Sequence, residues 1–246
     1  IINRKNLTWN ANFNLSLPRN KLVSYPNLGS SSYVRRYKIG EPINGAYLYQ
    51  FTGLNPESQL PIFSDLNNDG LIRSADDRLY NFIGQRAMAG LNNSFMISGK
   101  FQLDLFVQYV NQIRNEFIGA WPPGVFFGSG NNLPVSSLGQ NSNFRYYSQN
   151  YGESYTQYML FYDSDGILGD ASFIRLKNVA ISWKIPFRQV GSLKINDLKF
   201  YASAQNLLTF TKYKGLDPES ILSRGGGVLP KLPPLKMVTF GIQFTL

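Results

Sequence analysis

Asp65, Asn67, Asp69, Gly70, Leu71, Ile72 and Asp76 occupy positions 1, 3, 5, 6, 7, 8 and 12 of an EF-hand-like loop. Alternate residues offer hard oxygen donors, the Leu71 carbonyl can ligate, and Gly70 allows the sharp turn. Ca2+ or Mg2+ is the ion such a set would take, at Asp65, Asn67, Asp69, Leu71 and Asp76. Asp76 is shorter than the usual bidentate Glu, and Arg73 at position 9 cannot ligate. The competing reading is a turn closed by Asp and Asn side chains on their own backbone. Either way the loop is structural.

A second acidic group is Asp163, Asp165, Gly166, Gly169 and Asp170. Two carboxylates could serve glycoside hydrolysis. Nothing in the sequence sets their separation, so a solvated Asp-Gly turn is the expectation. Histidine and cysteine are both absent. That removes the usual general base, the commonest zinc ligand and any disulfide framework. No enzyme is expected.

The third constellation is aromatic. Trp121, Phe126, Phe127, Tyr146, Tyr147 and Tyr151 crowd a long loop that also carries many Asn and Gln. Aromatic faces with amides suit contact with a sugar, a peptide or a partner protein. They would equally make a small core of the loop's own.

The elements that must position these loops read as strands. Val238, Phe240, Ile242, Phe244 and Leu246 alternate with Thr239, Gly241, Gln243 and Thr245. The same two-residue period marks Trp9 to Leu17, Phe101 to Tyr109, Val179 to Ile185 and Leu198 to Gln205. Each run is about ten residues, the length a tilted strand needs to cross a bilayer. A soluble sandwich also alternates. Polar faces rich in Asn, Gln, Lys and Asp favour a barrel wall between lipid and water.

The 246 residues hold 15 Tyr and 18 Phe, a mixture that suits interfacial girdles. The net charge of +9 is scattered, with no basic run longer than the pairs Arg4-Lys5 and Arg35-Arg36, so nucleic acid is not an expected partner. No apolar run is long enough for a spanning helix, and the chain opens at Ile1 on polar, strand-like sequence with no signal peptide.

Strands are expected at Lys5 to Leu17, Ala46 to Phe51, Ala89 to Ser98, Lys100 to Ile113, Ser172 to Ile185, Leu198 to Thr211 and Lys236 to Leu246. Ser98-Gly99-Lys100 reads as a tight hairpin turn. Long connections after Phe51, Ile113 and Thr211 fall on one side of the wall and short turns near Gly99 and Val190 on the other. The stretch from Pro18 to Lys38 is too long for a turn on the short side. About seven strands cannot close a wide barrel, so these residues read as part of a longer protein.

Several blocks resemble the C-terminal end of SusC-like (RagA-like) TonB-dependent outer-membrane transporters of Bacteroidetes. They are Trp9 to Lys21, Gly40 to Gly53, Asp65 to Asp76 with Ile83-Gly84, Ala171 to Pro186 (ASFIRLKNVAISWKIP), Asn206-Leu207 with Tyr213 to Glu219, and Pro234 to Leu246. The strongest are Ala171 to Pro186 and Asn206 to Glu219. The resemblance implies an all-β, antiparallel transmembrane β-barrel, with residues 1–246 forming the C-terminal segment of a 22-stranded barrel with long extracellular loops. It implies a plug domain outside this chain, a SusD-like lipoprotein partner, coupling to TonB, and import of glycan or peptide across the cell outer membrane. Two alternatives stand beside it: a soluble extracellular glycan-binding β-protein with a structural calcium loop, and a SusC-like barrel serving as a subunit of a larger outer-membrane assembly.

Overall fold

The computed structural model describes residues 2–58, 60–72, 75–115, 151–186, 197–213, 217–219 and 233–245. Its frame is one antiparallel sheet. The path runs β1 (Ile2–Arg4), β2 (Leu7–Ser16), β7 (Gly84–Ile97), β8 (Phe101–Asn115), β10 (Phe173–Pro186), β11 (Asp197–Thr211) and β12 (Met237–Thr245). The short β9 (Leu168–Asp170) pairs with the far end of β8.

Register converts the period of each strand into two continuous faces. Trp9, Phe95, Leu103, Ile181, Ala202 and Phe240 stand opposite one another from β2 to β12. One residue along, the row is Asn10, Ser94, Asp104, Ala180, Ser203 and Thr239. A one-residue slip would exchange the faces, so the pattern itself holds the register. Among the described residues no second sheet covers the apolar face of β12: Val238, Phe240, Ile242 and Phe244 are exposed, Phe240 at 77%. Phe13, Leu15, Ile174, Trp183, Leu208 and Phe210 are exposed on the same face.

Two bulges keep that face apolar. Between Leu176 and Asn178 the register shifts on both neighbours, leaving Lys177 extra in β10 and Asn206-Leu207 extra in β11. Asn206 takes φ 53, the left-handed region that Asn tolerates. Ile174 and Leu176 are even-numbered while Val179, Ile181 and Trp183 are odd, and the extra residue lets both sets face the same way. Arg86 is the extra residue of a second bulge, in β7.

The turns sit at one end and the long excursions at the other. Ser98 (φ 52) and Gly99 (φ 65) form a two-residue hairpin bend in which the Lys100 N–H donates to the Ile97 carbonyl. The Pro186–Asp197 pair closes β10 on β11 at that same end. The connections from β2 to β7, from β8 to β10 and from β11 to β12 all begin and end at the opposite end.

Three sequence expectations change here. The first expected run, Lys5 to Leu17, begins with a turn at Lys5-Asn6, and an unexpected short strand, β1, precedes it and pairs with β2. Ala46 to Phe51 supplies no wall strand: β3 (Gly45–Tyr49) pairs with β6 (Arg78–Phe82), and β4 (Phe51–Leu54) with β5 (Pro61–Phe63), in two small sheets of their own. With β2 paired directly to β7, residues 17–83 form one excursion, and the over-long Pro18 to Lys38 turn ceases to be a problem. The second excursion contains a helix, α1 (Tyr151–Tyr162). Most of the buried side chains (Leu48, Tyr49, Leu60, Phe63, Val110, Ile167, Ala171 and Phe173) gather at the excursion end.

Candidate functional site at the excursion end

Arg175 is the centre of this end. It projects from β10 on the polar face, opposite Gln108 of β8 and Thr209 of β11. Only 1% of its side chain is exposed. Its guanidinium pairs with Asp217 and with Glu219, and its Nε donates to Thr209 Oγ1 at 2.8 Å. Lys177, the bulge residue, donates to both Glu219 carboxylate oxygens at 2.8 Å. The bulge therefore puts Arg175 and Lys177 under one acidic segment.

That segment, Asp217-Pro218-Glu219, is held from β8 as well. Gln112, buried, donates from Nε2 to the Pro218 carbonyl at 2.7 Å and to the Ala171 carbonyl at 3.0 Å. Tyr213 closes the other side, its hydroxyl donating to the Asn115 carbonyl at 2.6 Å. The third excursion is thus clamped to three strands at its root. Two cations facing two carboxylates satisfy one another, which makes burial of the charges tolerable. The fit is one of positioning; no unsatisfied nucleophile or base faces open space in it.

A second joint links the first and second excursions. The Phe51 N–H donates to Asp165 Oδ1 at 2.8 Å, and the Tyr49 N–H to the Asp163 carbonyl at 3.0 Å. Arg78 pairs with Asp163 at 3.2 Å and lies 4.2 Å over the Tyr49 ring. Gly166 sits where no side chain fits, since a Cβ there would lie 2.6 Å from the Phe161 ring and 2.8 Å from Phe51. The expected turn is present at Asp165-Gly166 and Asp163 stays partly exposed, but Asp163 and Asp165 also join the two excursions. Asp170 is exposed, and the Ser172 hydroxyl and N–H beside it hold its carboxyl below the usual carboxylate range.

The Asp65–Asp76 loop is exposed. Asp65 accepts the Asp69 N–H at 3.3 Å and the Gly70 N–H at 2.7 Å, while Asn67 Oδ1 accepts the Asp69 N–H at 3.0 Å and Asp69 the Leu71 N–H at 2.8 Å. Gly70 has φ 79, as the sharp turn requires. Asp76 is exposed, whereas its neighbour Asp77 is fully buried and accepts the Leu66 N–H at 3.1 Å. Among the described residues no three His, Cys, Asp or Glu side chains converge to hold an ion. The donors gathered are two carboxylates and one amide.

Trp121, Phe126, Phe127, Tyr146 and Tyr147 lie outside the described residues. Tyr151 opens α1, and its side chain lies outside them too. Among the described residues there is a cavity of about 220 Å³ between the β4–β5 sheet and α1, with Asn55, Ser58, Glu153 and Gln157 among its walls.

Sequence reasoning treated the ASFIRLKN strand and the DPE segment as separate motifs. They are the two halves of the Arg175 cluster. Their signal was charge: Arg and Lys within an otherwise apolar strand, and an Asp-Pro-Glu turn some forty residues on.

An antiparallel sheet with an uncovered apolar face, an amide-rich opposite face and all long excursions at one end is the wall of an outer-membrane β-barrel. No family model matches the chain. It is 25% identical to TonB-dependent receptor P3 of Formosa agariphila over 263 residues, covering 89% of this chain and 24% of that relative. It is 26% identical to TonB-dependent receptor SusC of Bacteroides thetaiotaomicron over 244 residues, covering 87% and 22%. Among solved structures it resembles the RagAB peptide importer in the open-open state, with a TM-score of 0.67, 22% identity and coverage of 100% of this chain and 27% of that one. The closed-closed state of the same importer gives 0.59 at 20% identity. The chain therefore resembles a segment of SusC/RagA-like TonB-dependent receptors, and its uncovered apolar face is that of a wall in an outer membrane. It spans about a quarter of the length of the curated relatives it matches.

Proposed function

We propose that this chain is the C-terminal part of the barrel of a TonB-dependent importer, contributing wall, excursions and the clamps between them. The single observation that carries the reading is the uncovered apolar face from β2 to β12, with every long excursion at one end. A soluble glycan-binding β-protein gives no reason for such a face, which in water would be a large exposed patch. The cargo is a glycan or a peptide, entering along the amide-rich face. A SusD-like lipoprotein covers the excursion end, and TonB acts through a plug outside these residues. The chain has no catalytic task in this reading.

The mechanism assigns the described residues to positioning. The Arg175 clamp fixes where the third excursion leaves the wall, and the Asp163–Arg78 joint ties the first two together, so a lid has a defined surface to rest on. Trp121, Phe126, Phe127, Tyr146, Tyr147 and Tyr151 are proposed as contacts to cargo or lid. A structural Ca2+ or Mg2+ at Asp65, Asn67, Asp69, the Leu71 carbonyl and Asp76 is proposed on the spacing and on the turn at Gly70.

The test is uptake by cells carrying the full-length protein with its neighbouring lipoprotein, using labelled oligosaccharides and labelled oligopeptides in parallel. Uptake of one class that vanishes on deletion of either protein or of TonB is the expected result. Normal growth and uptake of both classes without the protein would overturn the reading in favour of a structural barrel subunit.

A further inference from the structure

At the rim of the wall the root of the first excursion encloses a cavity of about 320 Å³, lined by Arg19, Arg86, Phe82, Asn20, Asn44 and Gln85, with two prolines. Its position and charge point to a ligand. Neither arginine takes part in an ion pair among the described residues, although Arg78, Arg175 and Lys177 all do. No carboxylate is among the described residues that line the cavity. Arg19 is steered into it by donating from Nη1 to the Pro18 and Arg86 carbonyls, at 3.2 and 3.4 Å. Arg86 lies 5.8 Å from the Phe82 ring centre. Its presence there is a product of the β7 bulge, which supplies one residue more than the ladder needs.

The level of the cavity limits what the ligand is. The last complete row of the apolar face is Leu15, Ala89, Tyr109, Ile174 and Phe210. Arg86 is three residues beyond Ala89 along β7. At about 3.3 Å per residue and a tilt near 45° that is roughly 7 Å further along the membrane normal. The headgroup layer on each side of a bilayer is about 5–7 Å deep. The pair therefore stands at headgroup depth. Guanidinium groups bind phosphate oxygens through paired N–H donors, and basic pockets at this depth take anionic headgroups.

We propose that Arg19 and Arg86 form a binding site for a phosphate group of an outer-leaflet lipid. The site rests on the reading of the apolar face as lipid-facing. It anchors the root of the first excursion to the membrane surface.

The experiment uses the full-length protein purified in detergent and measured by native mass spectrometry with two added probes, phosphorylated lipid A and the same lipid A after phosphatase treatment. The wild type is expected to retain the phosphorylated form at least fivefold better. R19Q/R86Q is expected to lose that preference while still taking up the dephosphorylated form through its apolar face. R19K/R86K is expected to keep part of it. Equal retention of both forms by the wild type overturns the phosphate site and leaves the barrel reading intact. If the wild type retains neither form, the lipid-facing reading itself has failed. The wild-type comparison stands even where R19Q/R86Q does not fold. Loss in R19Q/R86Q of binding to an acidic oligosaccharide, with lipid retention unchanged, would assign the pair to cargo and overturn the lipid site.

Discussion

Arg175 is buried against two carboxylates on the polar face, beside the buried Gln112. Removing one member of such a cluster costs more than the cluster contributes, because the partner charge stays behind. Arg175→Met is expected to destabilise the folded barrel by about 3–5 kcal/mol. The check is the temperature at which the full-length protein loses its compact form on unheated gels, with faster amide exchange at Asp217 and Glu219. Adding Asp217→Asn and Glu219→Gln to Arg175→Met should recover part of the loss, since no unpaired charge is then buried. The Asp65 loop gives a second prediction at this scale. Calorimetric titration of EDTA-treated protein with Ca2+ is expected to saturate at one ion. A heat no larger than that of Asp65→Ala would leave the loop as a set of side-chain-closed turns.

The elements meet through residues with no room to change. Gly166→Ala would push a methyl into Phe161 and Phe51. Those rings are set 5.1 Å apart edge to face, and Phe51 is also tied by its N–H to Asp165. Overpacking of this kind costs about 1–3 kcal/mol. The expected readout is faster hydrogen exchange at Tyr49 and Phe51, with β10 and β11 unaffected. Gly241 offers a contrast. A Cβ there would lie 2.2 Å from the Tyr201 ring, but that ring is exposed and can swing away. Gly241→Ala is expected to be tolerated.

At the scale of the molecule the two faces have different solvents, and paired substitutions test this. Phe240→Arg sets a charge in the middle row of the apolar face, where arginine at the bilayer midplane costs about 2–4 kcal/mol. Folded protein in outer-membrane fractions should fall, with material lost to proteolysis. Gln243→Arg, on the amide-rich side, should leave the folded amount unchanged. Equal amounts of both variants would mean that the apolar face does not meet lipid. Heating curves of the two variants, measured in the same detergent, extend the comparison.

The two-residue period determined most of the wall. Any strand that alternates Phe, Ile and Val with Thr, Gln and Asn must put them on opposite sides. The loop spacing at Asp65 and the tight turn at Ser98-Gly99 were local as well, written in the backbone freedom of a few residues. What the sequence could not show was whatever depended on pairing across long separations. The aromatic Ala46 to Phe51 run has strand composition, and only the direct pairing of β2 with β7 takes it out of the wall. The even-to-odd change at Lys177 looks like a broken pattern until both neighbouring strands shift with it. Arg175 reads as one more lumen charge, and it becomes a clamp because Asp217 and Glu219, 42 and 44 residues later, fold back onto it. Such contacts depend on loop closure and burial, which no local pattern of residue types encodes.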